Sequence, residues 1–577
     1  MNDKTTEHWK LYEAGLKYNN RILGPDKSYL GNIDANIAFF AGDQWRNVPS
    51  NDMPKPVFNY IKRILSFFVA SITSNNTTVN FETLEYTEEE RNKEILGQTD
   101  GEVKASEIAN AEVKNILEKS NFDNLLRKLL TNAGITGDMA LHMYFDVNKL
   151  PYNGRFKGIK GEIQMEVVDG SNVMFGNANN PNVEIQPYII VVGRDIAKNL
   201  ENEAKEFKNK VEIKSDNSWE NQQGDNGKIE VESDNYGKAL YIIVYERNTK
   251  TGTIKATKCT EKAYIYKDID TGYNRYPVSF GNWEDQTNQY HGRSVVTGMI
   301  PNQIFINKMF AMAMYHLMMT AFPPTVYDAS RINGINNAVG ATIPIEKLQP
   351  NESFNNLIGT IPVPPMSGNI MQFIEKTIEY TKEAMGINDA SMGNVRPENT
   401  SAIIAVQKST VVPLENVRAN LYQFVEDTAA ILLDMIGTKY GTRPVLVNSG
   451  ETRKVVEYDF KIFKNLWLNM KVNVGNSTPW SEMASQATLD NLLQLEKLEF
   501  IDYLERMSDT AIPKKDELIQ KIKQGTPNAV EYENLAQVFD SLPEDMQAKI
   551  QSLPDAEQEA AIREIAAMQQ NAQPQQR

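Results

Sequence analysis

Apolar positions recur at two different periods along the chain, and the change of period divides it. Residues 1–48 read as helix and turn, closing on Phe39-Phe40-Ala41-Gly42-Asp43-Gln44-Trp45, after which Pro49, Pro54 and Pro56 interrupt the backbone. Val57–Thr73 (VFNYIKRILSFFVASIT) is apolar at helical spacing and predicts a core helix. Asn75–Glu85 alternates as a strand would. Thr87-Glu88-Glu89-Glu90 has the form of a capping box opening a polar helix that runs to about Lys119, although Gly97 and Gly101 weaken it. A second helix is expected over 122–131, and Gly137–Asp146 turns into a strand. From about 160 to 280 the reading is β-rich, with strand candidates 162–168, 187–193, 239–246, 253–258 and 263–267 and with Asn248–Gly252 as a hairpin turn. Between them, 199–236 is rich in Asn, Glu, Lys and Asp, and predicts a solvated loop or a mobile helix plus loop.

Beyond residue 292 the helical period takes over. A helix is expected over 302–321, apolar all round its wheel and carrying Met309, Met312, Met314, Met318 and Met319. Residues 322–369 hold seven prolines and form a compact non-helical insert. Residues 370–385 are amphipathic, with Ile370, Phe373, Ile374, Thr377, Ile378 and Met385 on one side. A loop from Gly386 to Thr400 leads to a long helix over 401–436, in which Pro413 predicts a kink. Residues 444–475 return to strand. From Ser481 to about Met568 helices follow one another, and the terminal QQNAQPQQR has the composition of a disordered tail. No fixed-period repeat is present.

Composition narrows the function classes. The 577 residues amount to about four domain-sized units, and 41% hydrophobic content is that of a folded protein. Cys259 is the single cysteine, so neither a disulfide within the chain nor a cysteine zinc site can form. The four histidines, His8, His142, His291 and His316, lie too far apart in sequence for an HExxH helix. The net charge is −15, of which residues 481–577 supply −9, and an acidic chain is a poor non-specific DNA clamp. The opening MNDKTTEHWK lacks a basic-then-apolar order, so no signal peptide is expected. The most apolar stretch, 299–322, has an uncharged core of only Met309–Phe322, short of the ~20 residues a membrane span needs.

Catalytic motifs are largely missing. There is no P-loop and no GxSxG elbow. Gly154, Gly158 and Gly161 lack the lysine–hydroxyl pair of a phosphate loop. Asp268-Ile-Asp270-Thr-Gly272 resembles the start of a calcium loop, but its glycine falls one place early and Ser279 stands where the bidentate glutamate belongs, so a hairpin turn is expected. Trp45 and Trp283 read as core anchors and His316 as a packed or capped core histidine. Carboxylates cannot be paired across space from sequence, which leaves a metal-dependent nuclease as an alternative reading.

Several short motifs occur in a distinctive order. Phe40-Ala41-Gly42-Asp43-Gln44-Trp45 precedes a proline-flanked Phe58-Asn59 and a helix. Arg275-Tyr276-Pro277-Val278-Ser279-Phe280-Gly281 leads to Tyr290-His291-Gly292-Arg293-Ser294, then Gln303 and Ile306-Asn307-Lys308 before the Met-rich helix. Gly393 and Asn399-Thr400-Ser401 follow in the loop before the kinked helix. Over about residues 10–500 this order resembles the portal proteins of tailed bacteriophages. The resemblance implies an α+β, mainly α, portal fold assembled as a closed ring, a dodecamer. Residues 1–291 and 438–480 would form the wing, 292–321 and 370–385 the stem helices, 322–369 the clip, 386–400 the tunnel loop, 401–437 the kinked channel helix and 481–577 the crown.

It further implies a structural, non-enzymatic role without cofactor, metal or membrane. Double-stranded DNA would slide through the ring without sequence preference. The partners would be the terminase motor, head-completion or adaptor proteins, and the major capsid and scaffolding proteins. The location would be the capsid portal vertex, reached from the host cytoplasm during assembly. Stem packing would involve Phe305, Met309, Met312, His316 and Met319. The clip would be stiffened by Pro323, Pro324, Pro362, Pro364 and Pro365. Sparse positive charge repeated around a ring would guide DNA without gripping it, which makes Lys382, Arg396 and Lys408 the channel candidates. Arg396 and Lys382 have an alternative as partners in an ion pair, within or between subunits, with Glu383, Asp389 or Glu398, and Lys376 and Glu379 are expected to pair on the stem surface. The competing classes are a DNA-processing enzyme, a membrane pore and another virion structural protein such as a scaffold or shell subunit.

Overall fold

The computed structural model describes residues 5–20, 28–49, 53–73, 77–83, 105–151, 159–215, 237–332, 334–335, 344–346, 353, 357–364, 368–386, 412–449, 452–464 and 468–474, and near the C-terminus 489–495, 497–498, 500–507, 515, 518–519, 522 and 546–547. The chain divides into two compact units, 1–475 and 476–577.

In the first unit the helices are α1 (Glu7–Asn19), α2 (Tyr29–Ala41), α3 (Tyr60–Thr73), α4 (Ala105–Lys119), α5 (Phe122–Thr136), α6 (Ala197–Glu206), α7 (Val295–Ala321), α8 (Gly368–Ala384) and α9 (Glu415–Lys439). The strands are β1 (Thr77–Thr83), β2 (Asp138–Asp146), β3 (Glu162–Val168), β4 (Val173–Phe175), β5 (Tyr188–Ile196), β6 (Lys238–Arg247), β7 (Ile254–Cys259), β8 (Tyr264–Asp270), β9 (Val278–Asn282), β10 (Thr325–Tyr327), β11 (Ile358–Thr360), β12 (Thr442–Ser449), β13 (Thr452–Asp459) and β14 (Leu468–Val474). The second unit contains α10 (Phe500–Arg506), in which Tyr503 donates to Asp490 at 2.5 Å.

A five-stranded antiparallel sheet runs in the order β4-β5-β6-β7-β8, beside a three-stranded sheet β3-β2-β9. Both faces of the larger sheet are covered. Ile189, Val191, Ile243 and Tyr245 point into the main core, while Ile190, Val192, Ile242 and Val244 meet α1 through Trp9, Leu11, Tyr12 and Leu16. Two-sided burial explains why β5 reads as an unbroken apolar run rather than a clean alternation. β1 pairs with β14, and β12 with β13.

A second core forms where α3 lays Ile61, Ile64, Leu65, Phe68 and Ile72 against Leu126, Leu129, Leu130 and Ala133 of α5. Burying each of these side chains stabilises the fold by about 1.5–3 kcal/mol. Helix α9 joins the two cores. Val417, Leu421, Phe424 and Val425 enter the second, and Ala429, Ile431, Leu432, Met435 and Ile436 enter the first. Burial on several sides accounts for its weak amphipathicity in sequence.

The fold is thus α+β, and it corrects several boundaries. The first core helix starts at Tyr60 rather than Val57, because the Asn59 carboxamide accepts from the Lys62 N–H at 3.0 Å and caps it. Helix α7 begins at Val295, seven residues before the expected start, and tolerates Pro301 within it. The Asp268–Gly272 segment is not a hairpin turn: Asp268 and Asp270 end β8, and Asp270 then accepts the Gly272 N–H at 2.9 Å. Pro413 does not sit inside the described helix. It occupies a 3₁₀ turn, Val412–Leu414, immediately ahead of α9, and residues 401–411 lie outside the described residues. Also outside them are the 87–104 part of the expected polar helix, Gly154, Gly158 and all of 216–236; 197–206 is the helix α6.

Helix α5 stops at Gly137, whose φ is 104°. A Cβ there would lie 2.5 Å from the Gly292 carbonyl oxygen, so the position requires glycine on both conformational and steric grounds. Gly137→Ala is expected to lower unfolding free energy by about 1–3 kcal/mol, measured by urea denaturation. A change under ~0.5 kcal/mol would show that the backbone at Gly292 yields freely.

Candidate interaction surface of the helical hairpin

Helices α7 and α8 pack on each other, with Phe305 edge-on to Phe373 at 5.9 Å between ring centroids. At 27 residues, α7 is roughly 40 Å long. Its two halves differ sharply. The first half is rooted in the body: Val296, Met299, Ile300, Ile306 and Ala311 are buried. Ser294 caps it, accepting the Val296 N–H at 3.0 Å and donating to the Gly134 carbonyl at 2.7 Å.

A buried polar network fixes this root. Gln303 Nε2 donates to the Phe58 carbonyl at 2.7 Å and to Asn307 Oδ1 at 3.0 Å, and its Oε1 accepts the Tyr60 N–H at 3.1 Å. Asn307 Nδ2 donates to Gln44 Oε1 at 2.6 Å, 263 positions away. Gln44 in turn donates to the Phe39 carbonyl at 3.0 Å, and Asn59 to the Phe40 carbonyl at 2.9 Å. Motifs scattered through the sequence, FAGDQW, FN and Q-x-x-x-N, therefore form one structure.

A second cluster secures the residues before the cap. The Asp138 carboxylate accepts from Tyr29 Oη at 2.5 Å, from His291 Nδ1 at 2.7 Å and from the Gly292 N–H at 2.7 Å. His291 Nε2 faces Asn19 Oδ1 at 2.9 Å, so both ring nitrogens meet acceptors. The ring stacks on Tyr29 at 3.8 Å between centroids and lies tilted against Tyr290 at 3.9 Å. Burial, reinforced by Asp138, pushes the Tyr29 phenol far up, so it stays protonated and donates.

The outer half of α7 has the opposite character. Met312, Met314, Tyr315, Met318 and Leu317 are exposed, Leu317 by 58%, and Phe322 is 81% exposed. On α8, Phe373 and Tyr380 are exposed, Tyr380 by 62%. Lys308 is the one Lys, Arg, Asp or Glu in α7. Beyond α7, β10 and β11 form a short antiparallel ladder. An apolar surface of this extent on a single chain marks a contact site.

The Phage P22-like portal protein family matches the sequence over residues 32–575. The chain belongs to that family. No individual curated protein matches it. The portal chain is accordingly a structural protein of the phage virion. Among the described residues, no helix is long and apolar enough to cross a membrane.

The structure places the expected site residues unevenly. Of the expected stem residues, Met309 and Met319 are half-buried, while Phe305 and Met312 are exposed. His316 is not a core residue: it is half-buried and its Nε2 meets the Pro364 carbonyl at 2.9 Å, tying α7 to the returning arm of the insert. Pro323, Pro324 and Pro362 stand beside the β10–β11 ladder, and Pro365 lies outside the described residues. Lys382 is half-buried in the last turn of α8; Arg396 and Lys408 fall outside the described residues. Lys376 and Glu379 pair at 2.7 Å on the surface. Trp283 is buried against Phe68, and Trp45 is half-buried, its N–H on the Pro56 carbonyl at 2.9 Å. Gly386, after α8, and Pro413, before α9, approach so closely that a Cβ on Gly386 would lie 2.7 Å from the proline ring. Gly386 and Pro413 are therefore neighbours in space.

Sequence reasoning missed the Asp138–His291 cluster and the buried Glu112. Cys259 carries no nucleophilic signal, since burial pushes its thiol up to about 11. Burial raises the Glu112 carboxyl to about 7 against smaller opposing effects of Asn115, Lys119 and Arg443. A carboxyl raised on folding binds its proton more tightly in the folded state. Its stabilising effect is complete below pH ~4.5 and is lost as pH rises through about 7. Glu112→Gln is expected to stabilise the protein by about 2–4 kcal/mol at pH 8 relative to wild type and to leave it nearly unchanged at pH 4.5. Urea titrations at the two pH values measure this. His142 has the opposite sign. Burial, helped by Lys258, lowers it to about 4, so its contribution is lost as pH falls from about 6.5.

Proposed function

We propose that the chain forms a closed ring, a dodecamer, through which double-stranded DNA is packaged and ejected. The apolar outer half of α7, together with Phe373 and Tyr380 of α8, carries this reading, because neighbouring copies would cover it on both sides. In this reading α7 and α8 are the stem, the 322–369 insert is the clip that receives the terminase motor and later the adaptor proteins, and 386–400 is the tunnel loop. Residues 1–291 and 438–480 are the wing, held against the capsid and scaffolding proteins, and 481–577 is the crown. Assembly takes place in the host cytoplasm. The meeting of Gly386 with Pro413 supports a loop in the tunnel position.

Within the ring, Lys382, Arg396 and Lys408 supply rings of positive charge toward DNA. Each contact is weak enough for sliding and adds salt-dependent affinity. The test is quantitative packaging in phage carrying Lys382→Ala and Arg396→Ala together. The expected result is intact heads with reduced DNA content. Full heads that retain DNA normally would remove these residues from the channel.

A further inference from the structure

Near the start of α1, one histidine and two carboxylates from different elements converge. His8, Glu246 of β6 and Asp268 of β8 place one ligand atom each within 4.8 Å of one another. The histidine is held firmly. Thr6 donates its N–H to the Glu261 carbonyl at 2.9 Å, stitching the residue before α1 to the β7–β8 turn. The neighbouring Trp9 packs on Tyr12 and on the apolar face of the sheet. The His8 side chain, only 11% exposed, lies edge-on to Tyr264, and its Nδ1 meets Tyr264 Oη at 3.2 Å.

That contact orients the other nitrogen. Nε2 points at Glu246 Oε1 across 3.9 Å, which is beyond a hydrogen bond. Two metal–ligand bonds of about 2.0–2.2 Å span such a gap with a bent angle at the ion. A Nδ1–H donated to the Tyr264 oxygen would leave the Nε2 lone pair for the metal and fix the ring, the arrangement metal-bound histidines adopt. Glu246 is partly exposed and Asp268 exposed, so an ion can enter from solvent. The Asp268 carboxylate is exposed, so it is free of close packing that would stop it turning toward an ion.

We infer that His8, Glu246 and Asp268 form a binding site for a first-row divalent cation, zinc foremost, that clamps α1 to the five-stranded sheet. Imidazole with two carboxylates suits zinc, and water would complete the coordination.

The test uses chelator-treated full-length protein and calorimetric titration with zinc chloride. One site per chain is expected. Glu246→Gln and Asp268→Asn each keep side-chain shape and should each weaken zinc binding at least tenfold, with unchanged circular dichroism. Absence of a zinc site in the wild type, or an affinity that neither variant alters, would overturn the assignment. His8→Asn is a third variant; because it also loosens α1, the two carboxylate variants decide.

Discussion

Replacing Asp138 by alanine is expected to lower the unfolding free energy of the portal chain by about 3–5 kcal/mol, because it strands buried hydrogen-bond donors. The carboxylate is 1% exposed and accepts three hydrogen bonds, from Tyr29, His291 and the Gly292 N–H. Alanine leaves all three donors buried without that acceptor, and each abandoned donor costs about 1–3 kcal/mol. Tyr29→Phe removes only one of the three and should cost about 1–2 kcal/mol. Urea denaturation of both variants checks the ordering. Equal losses, or a loss under ~1 kcal/mol for Asp138→Ala, would mean that water enters the cluster and replaces the carboxylate. Because Gly292 stands two residues before the Ser294 cap, loss of the cluster also frees the root of α7.

Leu317→Glu combined with Tyr380→Glu should separate folding from assembly. Both positions are exposed in the chain, so folding stability should change by about 0.5 kcal/mol or less at each. In the ring both would lie between subunits. There the double variant forfeits about 1.5–3 kcal/mol of apolar burial per side chain and places carboxylates in a desolvated contact. The loss repeats at every subunit boundary. The expected product is a folded chain with native circular dichroism that sediments as a monomer. Rings of normal size from this variant would place the subunit contacts elsewhere.

The strands were legible because short runs of β-branched, aromatic and other apolar residues bounded by turn residues are a local signal. Tyr188–Ile196, Lys238–Arg247 and Ile254–Cys259 match the expected segments within a few residues. Helix α7 was legible in type but misjudged at its start, because Pro301 reads as a break while the Ser294 cap and the buried Val296 and Met299 hold the turn before it. Pairing was not legible: β1 joins β14 across most of the unit, and nothing local in either strand encodes that. The same holds for the root of the hairpin. Gln44, Asn59, Gln303 and Asn307 stood out as motif residues, but only the fold shows that they bond to one another. His316 was misjudged because an apolar setting in sequence suggested a core, whereas the outer half of α7 is apolar and yet exposed in the chain.

Ring formation is the central claim, and the mass and symmetry of the purified protein test it most directly. Mass photometry with class-averaged electron microscopy should show a closed ring with a central hole. Twelve copies of the 65.2 kDa chain give a mass of about 782 kDa. A monomer or dimer that persists at high protein concentration and across a wide range of salt would contradict it.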